Sequence, residues 1–385
     1  MKKTIVILTA VALAAALAGC GNTQSYLYTQ PHNERYEEDV NADALTVDNY
    51  YGLKNAILSF VESGTEEGVI RSYSYDGDIA DDLETAAYEV TRVDPVGAYA
   101  VDYMTHDCNR IVSYYEIRIS ITFRRTAEDI AAIVRASGTA EAEDLIVQAL
   151  EDGQQSLVLR MSYSDDFSPQ QIVQDAQRED PLLSIGAPSV TVQVYPESGV
   201  QRIVEMQFEY NASATILSLQ REQTEQVLEE LTRFISDEAT ARSRASIFFR
   251  RLCNRCTYVE WEDQGTIYDA LVTCTSDSKG IAEAFAMLCT RSGVDCTTIT
   301  GQKQGRTHWW NQVTIDGQTY HVDLTAAMEA GKSTMELLYD DDLYGAYNWD
   351  TATYPACTRP EEPEEAESGE GESEQAPEPS EETLP

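Results

Sequence analysis

The sequence predicts an α+β protein of two folded units, and three observations carry that prediction. Short stretches alternate polar and apolar residues in period two and come in hairpin-spaced pairs, which marks antiparallel sheet with one buried face. Between them lie stretches with apolar residues three and four apart, the mark of amphipathic helices. The pattern changes near residue 240, and 385 residues suffice for two domains plus tails.

In the first unit, Asp48 to Glu62 places Leu53, Ile57 and Phe60 on one helical face, and Ile79, Leu83, Ala87 and Val90 do the same for a second helix. Tyr115, Ile117, Ile119, Ile121 and Phe123 alternate with polar residues as a half-buried strand. Its expected hairpin partner is Ala98 to Met104, with the turn near Asp107 and Asn109. Helices are expected over 126–136 and 139–151, then a strand with Leu157, Leu159, Met161 and Tyr163 facing one way. Ser168-Pro169-Gln170-Gln171 has the form of a helix start, with a capping serine, proline at the first helical position and glutamine at the third. Val190, Val192 and Val194 and the run Val204, Met206, Phe208 and Tyr210 flank a turn at Glu197-Ser198-Gly199 as a second hairpin. A helix over 217–235 closes an α+β domain spanning 48–240, whose sheet is expected to have one covered face. No cluster of side chains in this domain suggests chemistry.

Acids outnumber bases 66 to 27, for a net charge of −39. Nucleic-acid binding needs clustered Lys and Arg to track phosphates, so DNA and RNA are excluded as partners. The chain starts with Lys2 and Lys3, an apolar run from Thr4 to Leu17, and Leu17-Ala18-Gly19-Cys20, the pattern of a secretory signal. The four-residue ending resembles the lipobox of bacterial lipoproteins. That resemblance implies removal of residues 1–19, lipidation of Cys20, a polar tether over 20–47 and anchoring to the extracytoplasmic face of the cell membrane. Cleavage would remove two lysines and no acid, taking the charge from −39 to −41. The eleven glutamates of 361–385 then leave −30 on the remainder. Residues 358–385 are rich in Glu, Pro, Ser and Gly and are expected to be disordered.

The second unit carries the chemical information. Asp237 to Leu252 reads as a helix, and Cys274-Thr275-Ser276-Asp277-Ser278-Lys279-Gly280 leads into another that buries Ile281, Phe285 and Leu288. Ser276 or Asp277 is placed to cap it, which puts Ser278 in the first turn, where free N–H groups and the helix dipole stabilise an anion. His308 to Ile315, the two-residue turn Asp316-Gly317 and Gln318 to Thr325 read as a hairpin. Its register pairs Ile315 with Gln318, Trp310 with Asp323 and His308 with Thr325. Asp323 is then diagonal to His308 on one face, where a carboxylate could hold the imidazole in one tautomer. His321 shares that face, one pair nearer the turn.

Ser278-Lys279-Gly280-Ile281-Ala282-Glu283-Ala284-Phe285 resembles the Cys-x-Gly-Tyr-Ala-x-Ala-Phe block of bacterial transglutaminase-like domains. His308-Trp309-Trp310-Asn311 is similar to their His-Ala-Trp-Asn, and Tyr320-His321-Val322-Asp323-Leu324-Thr325 to their Tyr-x-Val-Asp-x-Thr. Leu337, Tyr339-Asp340, Trp349-Asp350 and Tyr354-Pro355-Ala356-Cys357 are similar to the segment C-terminal to that core in gut-type bacterial members. The resemblance covers residues 241–357. It implies a papain-like α+β fold with a catalytic triad drawn from Ser278, His308 and Asp323, and a substrate groove flanked by Trp309, Trp310 and Asn311.

The sequence departs from the family at the nucleophile, where Ser278 stands in place of the cysteine. A thiol ionises readily beside a histidine, whereas a hydroxyl loses its proton only during attack and needs a closely placed base. The leading expectation is a catalytically degenerate domain, a pseudoenzyme, that binds a peptide or cell-wall partner in the old groove. The alternative is a serine-dependent amide hydrolase or acyl transferase. Cys274 replaces Ser278 in that scheme only if the helix starts a turn sooner, and a third possibility places the function in residues 48–240. Cys253-Asn254-Arg255-Cys256 lacks the second pair of a zinc site and the context of a redox motif, so no metal and no cofactor are expected. The seven cysteines after Cys20 allow up to three disulfides, while Cys289 and Cys296 read as core.

Overall fold

A computed structural model of the chain describes residues 44–236, 238–260 and 264–360. The expected signal, Cys20, most of the tether and the glutamate tail lie outside the described residues. The fold starts earlier than 48, because Leu45–Thr46 (β1) already pairs with a neighbouring strand and Val47 is buried.

A first module runs β1, Tyr50–Glu62 (α1), Glu67–Ser72 (β2), Ile79–Tyr88 (α2), Pro95–Ala100 (α3), Val101–Ile111 (β3) and Tyr114–Phe123 (β4). A short helix, Ala127–Ala131 (α4), leads into a second: Val134–Arg135 (β5), Thr139–Glu151 (α5), Ser156–Ser162 (β6), Pro169–Glu179 (α6), Ser189–Tyr195 (β7) and Gln201–Glu209 (β8). The two sheets have the same order, β1-β2-β4-β3 and β5-β6-β8-β7, each with a parallel first pair and two antiparallel pairs. The spacing is 89 residues at β1 and β5 (45 to 134), at α1 and α5 (50 to 139), and at β2 and β6 (67 to 156). The N-terminal region is therefore an internal duplication.

Identical residues recur at that offset: Ile57 and Ile146 in the two cores, Val69 and Val158, Arg71 and Arg160, and Gly64 and Gly153. Both glycines close a helix at positive φ, +68° and +63°, which an L side chain resists. In the first module Ile70, Ile117, Ile119 and Ile121 face α1 and α2. In the second, Leu159, Met161, Val204 and Met206 face α5 and α6.

Three element expectations are corrected. Residues 95–100 form a helix, because Asp94 accepts the N–H groups of Val96 and Gly97 and Pro95 fills the first position. The β3–β4 hairpin then turns at Val112 and Ser113; Asp107 and Asn109 lie within β3, an edge strand whose exposed faces tolerate polar residues. The helix expected over 126–136 stops at Ala131 and gives way to β5. Sheet two is also covered on both faces: Ile203 belongs to the first module's core, Tyr99 packs on Tyr195, and Arg125 pairs with Glu205 at 2.6 Å.

The third unit comprises Ala214–Thr232 (α7), Ala241–Arg255 (α8), Thr257–Tyr258 (β9), Thr275–Ser276 (β10), Ser278–Arg291 (α9), Cys296–Lys303 (β11), Arg306–Ile315 (β12), Gln318–Val322 (β13), Leu324–Glu329 (α10), Asp340–Leu343 (α11) and Tyr347–Trp349 (β14). Its antiparallel sheet has the order β13-β12-β11-β14, and α9 is buried against it beside Phe248, Phe249 and Leu252 of α8. Leu217, Leu228 and Leu231 of α7 join this core, so α7 packs with the C-terminal unit. All seven described cysteines are free thiols.

Candidate functional site

The start of α9 is set by Asp277. Its Oδ1 accepts the N–H groups of Lys279 at 3.1 Å and Gly280 at 3.3 Å, and its Oδ2 accepts that of Gly265 at 3.0 Å. The segment 265–266 lies so close that a Cβ on Gly280 would stand 2.3 Å from the Thr266 carbonyl oxygen, so only glycine fits. This close approach fixes Ser278 at the first helical position. The Ser278 hydroxyl accepts the Trp309 backbone N–H at 3.3 Å, and Asn311 Nδ2 donates to the Ala282 carbonyl at 3.0 Å, joining β12 to α9.

The hairpin turns at Asp316-Gly317, with Ile315 opposite Gln318 and Asn311 opposite Val322. The strand then ends one residue sooner than the expected Trp310–Asp323 pair. Asp323 leaves the sheet to cap α10, its Oδ1 accepting the N–H of Ala326 at 2.9 Å and the hydroxyl of Thr325 at 2.8 Å. This turns Oδ2 toward His308 Nε2 at 2.8 Å. Thr325, expected opposite His308 in a strand, lies instead in the first turn of α10, where its hydroxyl is 3.3 Å from the same nitrogen.

Burial alone would raise the Asp323 pKa. The bond to His308, its charge and that of Lys303, and the Ala326 N–H outweigh burial and hold the carboxyl well below the usual range. With Nε2 committed to Asp323, Nδ1 is the imidazole nitrogen left for a reacting group. Among the described residues no hydrogen bond joins His308 to Ser278.

Ser278, His308 and Asp277 line one cavity of about 730 Å³ with Tyr258, Glu260, Lys303, Arg306 and Glu329. Its charges are matched locally, Arg306 with Glu260 at 3.1 Å and Lys303 with Glu329 at 3.0 Å. Burial, then the nearby carboxylates, push the Tyr258 phenol up to about 12, so it faces the cavity neutral.

The groove assignment is corrected for two residues. Trp310 is fully buried behind the site, between His308 and Trp349, and Asn311 is spent on α9, because successive residues of β12 point to opposite faces. Trp309 is half-buried beside the site, with Lys279 over its ring at 5.8 Å. Cys274 adopts a left-handed conformation and turns its sulfur toward the carbonyls of Leu271 and Val272, at 3.8 and 3.7 Å. Burial pushes Cys253 up to about 11 and Cys256 up to about 12, so both stay protonated thiols.

Two features escaped sequence reasoning. His321, Asp340 and Cys357 converge behind Trp310, with potential ligand atoms within 4.8 Å of one another. An indole N–H can only donate, so Trp310 Nε1 at 3.0 Å makes His321 Nδ1 an acceptor and leaves the proton on Nε2, which donates to Asp340 at 2.8 Å. A metal on Nε2 would displace that proton and break this bond, so the trio is wired as a strut; burial lowers the His321 pKa and keeps the ring neutral. The second feature is Glu283 on α9, fully buried, accepting the hydroxyl of Ser184 from the second module at 3.0 Å. Burial pushes its carboxyl up to about 7.

Residues 225–324 match the family model of the transglutaminase-like superfamily. Similar solved structures include a TGase at 10% identity, covering 54% of this chain and 60% of that one, with a TM-score of 0.25. A candidate cysteine protease from Cytophaga hutchinsonii is 11% identical over 44% of this chain and 72% of that one, at a TM-score of 0.23. A candidate protease from Parabacteroides distasonis is 10% identical over 54% and 45%, at 0.22. The chain thus spans about 60% of the first of these and less than half of the last. No curated protein matches it. Within this α+β chain, residues 225–324 form a transglutaminase-like domain.

Proposed function

We propose that the cavity at Ser278, His308 and Asp323 binds an amide-bearing peptide or cell-wall partner without turning it over, on a protein held to the extracytoplasmic membrane face through lipidated Cys20. The observation that supports this most is an asymmetry. The His308–Asp323 pair is buried and joined at 2.8 Å, while the Ser278 hydroxyl accepts a backbone N–H and, among the described residues, shares no bond with the imidazole. A hydroxyl, unlike a thiol, gains little nucleophilicity without that direct contact.

The test is titration of a glutamine-containing peptide into ¹⁵N-labelled full-length protein. Shifts at Ser278, His308 and Trp309 with no release of ammonia support the reading. Ammonia release that vanishes in Ser278→Ala overturns it. Anchoring is tested separately: incorporation of labelled palmitate should disappear in Cys20→Ala.

The orientation of His308 favours a second reading, a serine-dependent amide hydrolase or acyl transferase. Ser278 Oγ would bond to the amide carbon as the C–N bond breaks, and its proton would pass through His308 Nδ1 to the leaving nitrogen. Covalent labelling of Ser278 in folded protein by an acylating reagent would select this reading.

A further inference from the structure

Asp323 collects more donors than the cap of a short helix needs. Oδ1 serves the first turn of α10, and Oδ2 serves His308, yet one more strong donor reaches Oδ2: the Tyr347 hydroxyl, at 2.7 Å. Tyr347 lies on β14, paired with Lys303 at the edge of the sheet and beyond the matched region 225–324. We propose that Tyr347 is a positioning residue for the His308–Asp323 pair, fixing the carboxylate oxygen that His308 uses and drawing negative charge from it.

The geometry gives the hydroxyl no easy alternative. The Tyr347 ring meets the His308 ring edge-on at 6.0 Å and the Trp310 ring at 5.3 Å, so swinging the hydroxyl away would disturb both. Burial, followed by the charge and hydrogen bond of Asp323, moves the phenol far above its ordinary pKa and keeps it a donor.

The segment carrying Tyr347 is held on both sides. Gln304 N–H donates to the Ala346 carbonyl at 2.7 Å, the His321 strut holds Asp340, and Gln312 donates to the Pro355 carbonyl at 2.8 Å. A chain ending at the matched region would keep His308 and Asp323 but lose the group that fixes their shared oxygen.

The inference rests on reading His308 and Asp323 as the retained base of a triad. Its test is Tyr347→Phe in the full chain, which keeps the ring and removes only the hydroxyl. With one strong donor left on Oδ2, the carboxylate holds the imidazole more strongly, so the His308 Nε2 proton resonance should move downfield. In a Ser278→Cys background, the acid limb of the alkylation rate with iodoacetamide should move about half a pH unit higher. Unchanged or opposite shifts in both measurements, in protein whose unfolding midpoint shows it folded, would overturn the proposal. The resonance is read without peptide, so failure of the binding reading leaves this test intact.

Discussion

The two sides of the cleft are built to different standards. On the base side, Asp323 accepts from His308, Tyr347, Thr325 and Ala326, with Lys303 at 3.7 Å, and the His308 ring is packed between Trp310 and Tyr347. On the Ser278 side, the side chain makes one hydrogen bond among the described residues, at 3.3 Å. By this difference the Asp323 side is part of what holds the domain together, whereas the Ser278 side chain carries little structural weight. A substitution at Ser278 can thus alter chemistry while leaving the fold intact, and the reverse should hold at Asp323.

Breaking the base side should have the largest effect. Asp323→Ala strands several buried donors at once and should cost about 3–5 kcal/mol in urea unfolding. Because the folded pKa of Asp323 lies below its unfolded value, its stabilisation is complete above the unfolded value near 4 and is lost as pH falls toward the folded one. The variant should therefore show a flatter acid limb of stability.

Glu283, one turn along α9 from Ser278, should come next, with the opposite sign. Its folded pKa rises from 4.5 to about 7, so its contribution is complete below 4.5 and is lost as pH climbs through 7. Glu283→Gln should remove that slope and raise stability at pH 8 by about 3 kcal/mol relative to the parent, with little change at pH 4. Parallel pH dependence in the two proteins would show that the Ser184–Glu283 contact is open to solvent.

A thiol at position 278 is the sharpest probe of the cleft. Ser278→Cys places a thiol in the first turn of α9 beside an oriented imidazole and should react with iodoacetamide at pH 6 about 100-fold faster than a free thiol. A free-thiol rate would mean that His308 does not reach the position. The smallest effect is expected for Ser278→Ala, within about 0.5 kcal/mol of the parent in unfolding. A large loss there would remove the contrast between the two sides.

Much of the base side was legible because the Asp316-Gly317 turn sets the register. Counting from Ile315 and Gln318 brings His308 and Asp323 together, and it survives the last step even though Asp323 leaves the strand to cap α10. The cap at Asp277 and the place of Ser278 were also readable, from local hydrogen-bonding chemistry. Tyr347 was not, because its role depends on β14 docking at the edge of a sheet whose other strands come earlier in sequence. The duplication was equally hidden. The two modules share fold-setting positions such as Ile57 and Ile146 but little else, and apolar side chains of different shape fill equivalent core sites, Leu53 in one and Ala142 in the other. The early turn assigned to the β3–β4 hairpin failed because polarity marks turns only where a strand has a buried face.

The contact between the duplicated modules is head to tail: the first lies on the outer face of the second module's sheet, and the second adjoins the transglutaminase-like domain through Ser184 and Glu283. A stack of this kind has unlike ends. The leading outer face, with Glu67, Arg71, Glu116 and Arg118, is polar and internally paired, so it terminates the series as a cap does in a repeat protein. The two modules, 89 residues apart in sequence, thus form consecutive layers leading to the transglutaminase-like domain, and the series is closed at its leading face.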